Sequence, residues 1–457
     1  MMRTAVINVV GLTSGLLGDR TPNIQAFVNR GKLQNIKPAF PAVTCTAQSD
    51  YLTGTLPSAH GAVANGWYNR EFSEVQFWKQ SNHLVQQPKL WEDLKRTDPT
   101  FTCAKLFWWY NMYSSADYTI TPRPIYPADG RKVFDVYTHP MNMREAIKQD
   151  LGDFPFHNFW GPNAGIGSSE WIAASAKWVE KKYQPTLNLV YLPHLDYNLQ
   201  RLGPNNREIS EDLEAIDRVV GDLIKFFEKQ SVQVVLLSEY GITEVDKPIH
   251  VNRSFREQGW ITIKDELGLE QLDCGASTAF AVADHQVAHV YVNDKSKLSA
   301  VQRHLENLEG VEQVLDQSGK QAMGIEHSRA GDFVAIADAR SWFTYYYWLD
   351  DTLAPDFARC VDIHRKIGYD PVELFFDPNV SFPALKVAWF LLKKKLGFRA
   401  LLDVVPLDAS LVKGSHGRLP ENRIDWPVFI AQTTPNTSED PINSTEVADV
   451  IRGIILS

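Results

Sequence analysis

Short apolar runs alternate with helical patterns along much of the chain. The runs at residues 4–10, 187–192 and 232–237 are rich in Val, Ile and Leu, and a polar or glycine-containing turn follows each one. Nearly continuous apolar strands of this kind are buried on both faces, as in a parallel sheet covered by helices. Residues 168–182 and 210–229 carry apolar side chains at helical spacing, with charged residues opposite. The pattern predicts an α/β fold: a central, mostly parallel sheet flanked by helices on both faces, with its chemistry at the carboxyl ends of the strands.

Residues 251–340 follow a different pattern. The stretch DCGASTAFAVADHQVAHVYVND is followed by the helix-like SKLSAVQRHLENLEG and then by VEQVLD. We expect a smaller inserted α+β subdomain here. Residues 1–250 and 341–457 would then form one core domain around it.

Composition narrows the class of protein. Hydrophobic residues make up 44% and charged residues 22% of the 457 positions, as in an ordinary globular protein. The net charge of −9 argues against a protein that coats nucleic acid, since such proteins need basic surfaces, but it leaves a small phosphorylated substrate open. The four cysteines form no CxxC pair, and the N-terminus resembles a strand more than a secretory signal. These features predict a cytoplasmic enzyme.

The longest mostly apolar stretch, residues 382–392, ends at three consecutive lysines, Lys393 to Lys395. It is shorter than the roughly 20 residues that span a bilayer, so we predict no transmembrane segment. Two interpretations are open: a helix packed on the domain, or a basic amphipathic helix at a membrane surface.

Residues 40–71, FPAVTCTAQSDYLTGTLPSAHGAVANGWYNRE, carry the most informative motif. A P-x-x-T pattern ends at Thr44, TG follows at Thr53 and Gly54, and P-x-x-HG-x-x-x-N ends at Asn65. This pattern resembles the nucleotide pyrophosphatase/phosphodiesterase branch of the alkaline-phosphatase superfamily. The resemblance implies that Thr44 opens a helix and attacks phosphorus, and that Asn65 binds a phosphoryl oxygen. A helix N-terminus suits this task because its N–H groups and dipole stabilise an anion.

Three later segments extend the resemblance. Asp196 takes the position of a metal-binding aspartate, Glu239 replaces the aspartate of an S-D-H-G element, and His416 takes the position of a last histidine ligand. The resemblance therefore implies a metal-dependent hydrolase of phosphoric esters, of the phosphodiesterase or pyrophosphatase type, with a phospho-threonine intermediate. Its cofactor would be one or two divalent ions, zinc first, with Mn or Mg as alternatives. Two such ions activate the attacking oxygen and stabilise the leaving one.

Three ligand positions depart from the family pattern. Val10 stands where an aspartate is expected, and Gln200 and Tyr240 stand where histidines are expected. The retained positions, Thr44, Asp196, Glu239 and His416, would bind one metal ion. A second ion would need ligands from elsewhere in the chain. One candidate is His194, two residues before Asp196. Asp362 and His364 are further candidates, because a D-x-H pair on an extended segment puts both side chains on one face. The alternative for this pair is an Asp–His hydrogen bond in a loop.

Aromatic and basic residues supply further candidates for substrate contact. Trp67 and Tyr68 follow Asn65 directly and would stack on a planar leaving group, or else only pack the helix that the threonine opens. Arg365, Lys366 and Arg418 would hold a substrate anion, or else remain solvated.

Two other functions stay open at this point. The missing ligands would fit a superfamily relative with a degraded metal site that binds a phosphorylated ligand or a partner without turnover. An isomerase or transferase of a phosphorylated metabolite is the other alternative. The sequence leaves the oligomeric state open.

Overall fold

The central sheet contains the strands predicted at residues 4–10, 187–192 and 232–237.

The computed structural model describes residues 1–129, 131–205, 207, 209–398, 400–433 and 440–457. Its strands are β1 (Thr4–Val9), β2 (Lys32–Lys37), β3 (Gly66–Asn69), β4 (Glu74–Phe77), β5 (Cys103–Leu106), β6 (Tyr118–Pro122), β7 (Val136–His139), β8 (Leu187–Leu192), β9 (Gln233–Leu237), β10 (Thr243–Glu244), β11 (Lys247–Ile249), β12 (Ile263–Glu266), β13 (Leu269–Leu272), β14 (Ala279–Asp284), β15 (Val287–Val292), β16 (Val311–Leu315), β17 (Phe333–Ala337), β18 (Ser341–Phe343), β19 (Gly414–Ser415), β20 (Val428–Ala431) and β21 (Ile442–Asn443).

The order of strands in this sheet is β21-β2-β20-β9-β1-β8-β5-β6-β7. Strand β1 pairs in parallel with β8 on one side and β9 on the other, with Thr4 opposite Leu187 and Gln233. Strands β5, β6 and β8 continue the parallel pairing, whereas β20 and β7 run antiparallel to their neighbours. All six residues of β1 are buried, because helices cover both faces of a central parallel strand. The predicted α/β architecture is confirmed.

Helices fill the connections between the strands. In chain order they are α1 (Pro22–Asn29), α2 (Thr44–Thr53), α3 (Pro57–His60), α4 (Leu90–Thr97), α5 (Met143–Leu151), α6 (Ile166–Tyr183), α7 (His194–Leu202), α8 (Ile209–Lys229), α9 (Val251–Glu257), α10 (Leu298–Glu306), α11 (Gln317–Ala322), α12 (Pro383–Lys395) and α13 (Val447–Leu456). One group packs α1, α6 and α8 together, and another packs α13 on α2 and α4. None of the helices in the described ranges has the length and hydrophobicity that crossing a bilayer requires.

A second, antiparallel sheet has the order β14-β15-β17-β16. Helix α9 and apolar side chains of α10 close a separate hydrophobic cluster against it. Strands β14 and β15 form a hairpin whose two-residue turn is His285 and Gln286, and His285 adopts a left-handed conformation with φ 61°. This hairpin turn is the part of the second sheet that reaches the candidate site. The predicted domain borders at residues 250 and 340 stay a prediction.

Candidate active site

Thr44 is the first residue of α2 and lies beside the carboxyl ends of the central strands. The preceding residue, Val43, is extended and its carbonyl accepts the Ala47 N–H, so the helix begins at Thr44. Thr44 is 3% exposed, and its Oγ1 lies 3.2 Å from the Tyr240 hydroxyl. The hydroxyl is therefore held at a helix N-terminus, where N–H groups and the helix dipole favour negative charge.

Asn65 is fixed on both sides of its amide. Its Oδ1 accepts the Cys45 N–H at 3.0 Å, which ties it to the first turn of α2. Its Nδ2 donates to Asp284 Oδ1 at 3.0 Å, and its backbone N–H donates to Asp284 Oδ2 at 2.8 Å. The amide orientation next to Thr44 is therefore set by these hydrogen bonds.

Asp284 is a site residue that the sequence did not reveal. It ends β14, directly before the hairpin turn, and burial raises its pKa to about 7 while the hydrogen bonds from Asn65 lower it. The following His285 ring stacks on Tyr369 at 3.7 Å and lies 3.6 Å from the His416 ring. The polar DHQ between two apolar runs indicates a hairpin turn in the sequence. It does not indicate which part of the fold this turn contacts.

His60, within the same motif, holds the loop in place. Its Nδ1 accepts the Ala62 N–H at 3.0 Å, so Nε2 carries the proton and donates to Asp50 Oδ1 at 2.8 Å. The other oxygen of Asp50 accepts the Ser444 hydroxyl at 2.6 Å. This buried network connects the loop that carries Asn65 to α2 and to the C-terminal region.

Asp196 lies in the first turn of α7, just after β8. Its Oδ1 accepts the Tyr240 hydroxyl at 3.1 Å, and its Oδ2 accepts Gln200 Nε2 at 2.7 Å. Gln200 Oε1 in turn accepts the Tyr369 hydroxyl at 2.9 Å. Burial raises the pKa of Asp196 to about 7, although the hydrogen bonds from Tyr240 and Gln200 lower it. Gln200 and Tyr240, the two residues that replace expected histidines, thus both donate a hydrogen bond to Asp196.

Glu239 follows β9 at the same edge of the sheet. Its Oε1 accepts Asn8 Nδ2 at 2.5 Å and Gln48 Nε2 at 2.6 Å. Its Oε2 is buried and makes no hydrogen bond within the described part of the chain. Burial raises the pKa of Glu239 to about 8, although the hydrogen bonds from Gln48 and Asn8 lower it. Neutral amides therefore surround one of its oxygens and leave the other unpartnered.

His416 faces Asp196 with an unpaired nitrogen. Its Nδ1 lies 2.7 Å from the Ala42 carbonyl oxygen and must carry the proton, since a carbonyl only accepts. Its Nε2 is buried without a hydrogen-bond partner among the described residues and lies 3.9 Å from Asp196 Oδ1. Burial lowers the pKa of His416 to about 3, so the ring is neutral. The Tyr240 ring stacks on it at 3.6 Å.

The sequence matches those of known proteins. Residues 4–370 match the family model for type I phosphodiesterase / nucleotide pyrophosphatase. The chain belongs to this family. It is 23% identical over 235 residues to an uncharacterized pyrophosphatase/phosphodiesterase of Schizosaccharomyces pombe, covering 49% of this chain and 41% of that one. It is 23% identical over 263 residues to mouse ectonucleotide pyrophosphatase/phosphodiesterase family member 7, covering 56% and 53%. The aligned part thus spans about half the length of these curated relatives.

Solved structures share the fold. Murine ectonucleotide pyrophosphatase/phosphodiesterase 5, an inactive variant in complex with AMP, superposes with a TM-score of 0.60 at 12% identity, covering 100% of this chain and 95% of that chain. Phosphonoacetate hydrolase from Sinorhizobium meliloti in complex with phosphonoformate superposes with a TM-score of 0.62 at 12% identity, covering 98% and 94%. At these identities the likeness establishes the phosphodiesterase fold alone.

The donor set of this family member does not fit a two-ion centre. Among the described residues, no three or more His, Cys, Asp or Glu side chains come together at metal-ligand spacing. Val10 offers no atom that could bind a metal. Gln200 and Tyr240, which replace the expected histidines, donate hydrogen bonds to Asp196 instead. At the family ligand positions, Nε2 of the neutral His416 and Oε2 of Glu239 are buried and accept no hydrogen bond within the described residues. A backbone acceptor on Nδ1 is the usual support for a histidine that binds metal through Nε2.

Asp362 and His364 make other contacts. The Asp362 N–H donates to Glu373 Oε1 at 2.9 Å, and His364 Nδ1 lies 3.2 Å from the Phe77 carbonyl oxygen. The contact of His364 ties the loop to the end of β4. Metal binding by this pair stays a prediction.

Trp67 and Tyr68 are buried on β3. The Arg329 guanidinium lies 4.7 Å from the Trp67 ring centroid, and Tyr68 packs edge-on against Phe280 and Tyr291 at 4.9 and 5.2 Å. Both rings therefore fill the contact between β3 and the second sheet. Their contact with substrate stays a prediction.

Proposed function

We propose that the protein hydrolyses a phosphoric ester or phosphoanhydride bond, with Thr44 as the attacking group. The observation that carries the proposal is the position of this hydroxyl, buried at the start of a ten-residue helix and within hydrogen-bond distance of Tyr240. Membership of the phosphodiesterase / nucleotide pyrophosphatase family supports the same reaction. The substrate class is a small phosphorylated molecule.

The proposed reaction uses groups of this chain. The Thr44 oxygen forms a bond to phosphorus, and the bond from phosphorus to the leaving oxygen breaks with its electron pair. The proton of Thr44 passes to the Tyr240 oxygen while the proton of Tyr240 passes to Asp196, along contacts of 3.2 and 3.1 Å. Water then cleaves the phospho-threonine and restores the hydroxyl. The N–H groups of α2 and the second N–H of the Asn65 amide stabilise the phosphoryl oxygens.

A single divalent ion would be held by Asp196 and His416, with Glu239 and Thr44 as the neighbouring donors. Such an ion, when bound, lowers the pKa of a coordinated hydroxyl and offsets the charge of the phosphoryl group. Zinc sites that retain the metal use three or more protein ligands, and within the described part of the chain no three His, Cys, Asp or Glu side chains come together at such a site.

We therefore expect the purified protein to hold less than one equivalent of metal. Hydrolysis of bis-p-nitrophenyl phosphate should be low without added metal and rise when Zn or Mn is supplied. Elemental analysis and release of p-nitrophenolate measure these two quantities. Two tightly held equivalents would contradict the weak site, and a lack of turnover with either ion would contradict the hydrolase.

Substituting Asp284 tests whether the hairpin turn positions Asn65. We expect Asp284→Ala to lower turnover about 10- to 100-fold, because the Asn65 amide loses the carboxylate that orients it. The double variant with Asn65→Ala should be no slower than Asn65→Ala alone, since both changes remove one interaction. Asp294→Ala, in the exposed turn that follows β15, is the control and should leave turnover unchanged. Additive losses would show that Asp284 acts independently of Asn65.

A second candidate function is ligand binding without turnover. It is favoured by one observation: neutral side chains donate hydrogen bonds to both carboxylates at family ligand positions. AMP is a suitable probe, since a structural neighbour was solved with it. Calorimetric binding of AMP by a protein that turns over no phosphodiester with Zn or Mn would favour this function over hydrolysis.

A further inference from the structure

Helix α12, Pro383–Lys395, presents its apolar face to solvent. Leu385, Trp389, Leu392 and Leu396 recur at intervals of three or four residues, so they lie on one face of the helical turn. Leu385, Trp389 and Leu396 are 68%, 58% and 64% exposed. A surface helix of a globular protein ordinarily turns this stripe toward the core. In α12 this stripe faces solvent instead.

The half-buried side chains of α12 are those of Pro383, Lys386, Val387, Phe390 and Lys393. Lys386 is half-buried; its Nζ donates to the Asp403 carbonyl oxygen at 2.6 Å and lies 3.0 Å from the Asp403 carboxylate. None of the described side chains in residues 382–402 belongs to a hydrophobic cluster of the fold. Lys386 thus ties the helix to Asp403, while Leu385, Trp389, Leu392 and Leu396 lie outside the hydrophobic clusters of the described residues.

The charge of this segment differs from that of the whole chain. Phe382, Phe398 and Leu401 flank the helix and are also exposed. The segment contains no Asp or Glu within a chain of net charge −9. Its basic residues are Lys386, Lys393, Lys394, Lys395 and Arg399. The exposed side chains of Phe382, Leu385 and Trp389 therefore belong to a segment whose charged residues are all basic.

We propose that residues 382–402 bind the surface of a lipid bilayer that contains anionic headgroups. The apolar face of α12 would enter the boundary between headgroups and acyl chains, and the lysines would remain at the headgroup level. Lys393 is placed for this, with its Nζ 5.4 Å from the Trp389 ring centroid. Anionic lipids match the basic charge, whereas a second copy of the segment would oppose like charges. A helix of thirteen residues lies on the surface and does not span.

Flotation of the full chain with phosphatidylcholine vesicles, with and without phosphatidylglycerol, tests the proposal. Wild type should bind only the vesicles that contain phosphatidylglycerol. The double variant Trp389→Glu, Leu392→Glu should reduce this binding at least about tenfold, because it places charge on the inserted face. The double variant Lys393→Gln, Lys395→Gln should weaken vesicle binding about fivefold for each lysine, because a loss of about 1 kcal/mol per charge corresponds to about a fivefold change in affinity.

The matched control is Leu267→Glu at the tip of the β12–β13 hairpin, where the leucine is fully exposed. It should bind like wild type. All replaced positions are at the surface, and unchanged thermal unfolding verifies that each variant is folded. Absence of wild-type binding to either vesicle, or equal binding by Trp389→Glu, Leu392→Glu, would overturn the proposal. A wild-type dimer in solution that this double variant dissociates would assign the face to a second copy instead.

Discussion

Replacing Thr44 by valine is expected to lower phosphodiester turnover by at least about a thousandfold while the protein stays folded. Valine fills the same space but has no oxygen to attack phosphorus. The lost contact with the Tyr240 hydroxyl, 3.2 Å away, should cost the folded state only about 1 kcal/mol. Hydrolysis of bis-p-nitrophenyl phosphate, measured beside the urea unfolding curve, separates the chemical effect from a folding defect.

The serine variant is the matched control for this substitution. Thr44→Ser keeps the hydroxyl and should retain a measurable share of the activity. Rapid quenching should trap a phosphorylated protein for wild type and Thr44→Ser, and none for Thr44→Val. If the valine variant turns over substrate at the wild-type rate, the attacking group lies elsewhere and the proposed reaction fails.

Local patterns sufficed for the elements that surround this threonine. Continuous apolar runs identified β1, β8 and β9, and helical spacing identified α6 and α8. The family resemblance implied that a helix begins at Thr44, and α2 begins there. The strands and the other helices depend on side chains close together in the chain, so periodicity reveals them.

Such local patterns do not predict contacts between segments that are far apart in the chain. Asp284 lies 219 positions from Asn65 along the chain, and only the docking of the second sheet on the core brings the two together. Nothing around Asp284 distinguishes it from an ordinary turn aspartate. The same limit applied to Lys366, which the sequence offered as a candidate for holding a substrate anion. In the structure its ammonium is buried between two carboxylates of its own chain.

The replaced ligands form a coherent hydrogen-bond chain. Tyr369 donates to Gln200, Gln200 donates to Asp196, and Tyr240 donates to the second oxygen of Asp196. A buried carboxylate requires such donors when no cation is close, because an unpaired buried charge is costly. Any divalent ion must therefore compete with hydrogen bonds that already stabilise Asp196, which is the physical reason for the weak metal affinity expected above.

Replacing Lys366 by methionine is expected to destabilise the protein by about 3–5 kcal/mol, the range for removing one partner of a buried ion pair. The Lys366 ammonium lies 2.7 Å from both Asp370 and Glu373 and is almost fully buried. Glu373 also accepts the Trp160 indole N–H at 2.5 Å, so the pair anchors the loop that precedes α12. Methionine keeps the length of the side chain but leaves two carboxylates without their cation. Urea unfolding of the full chain measures the loss.

The pH dependence and a surface control make this result specific. Burial raises the pKa of Glu373 and Lys366 lowers it, so the pKa of Glu373 should rise further in the variant. Protonation then removes the unpaired charge, and the stability gap between wild type and Lys366→Met should narrow as the pH falls below neutral. Lys295→Met breaks an exposed pair with Asp332, where the lysine side chain is 58% exposed, and should cost no more than about 1 kcal/mol. An equal loss in both variants, or a gap that widens in acid, would contradict a buried carboxylate left uncompensated.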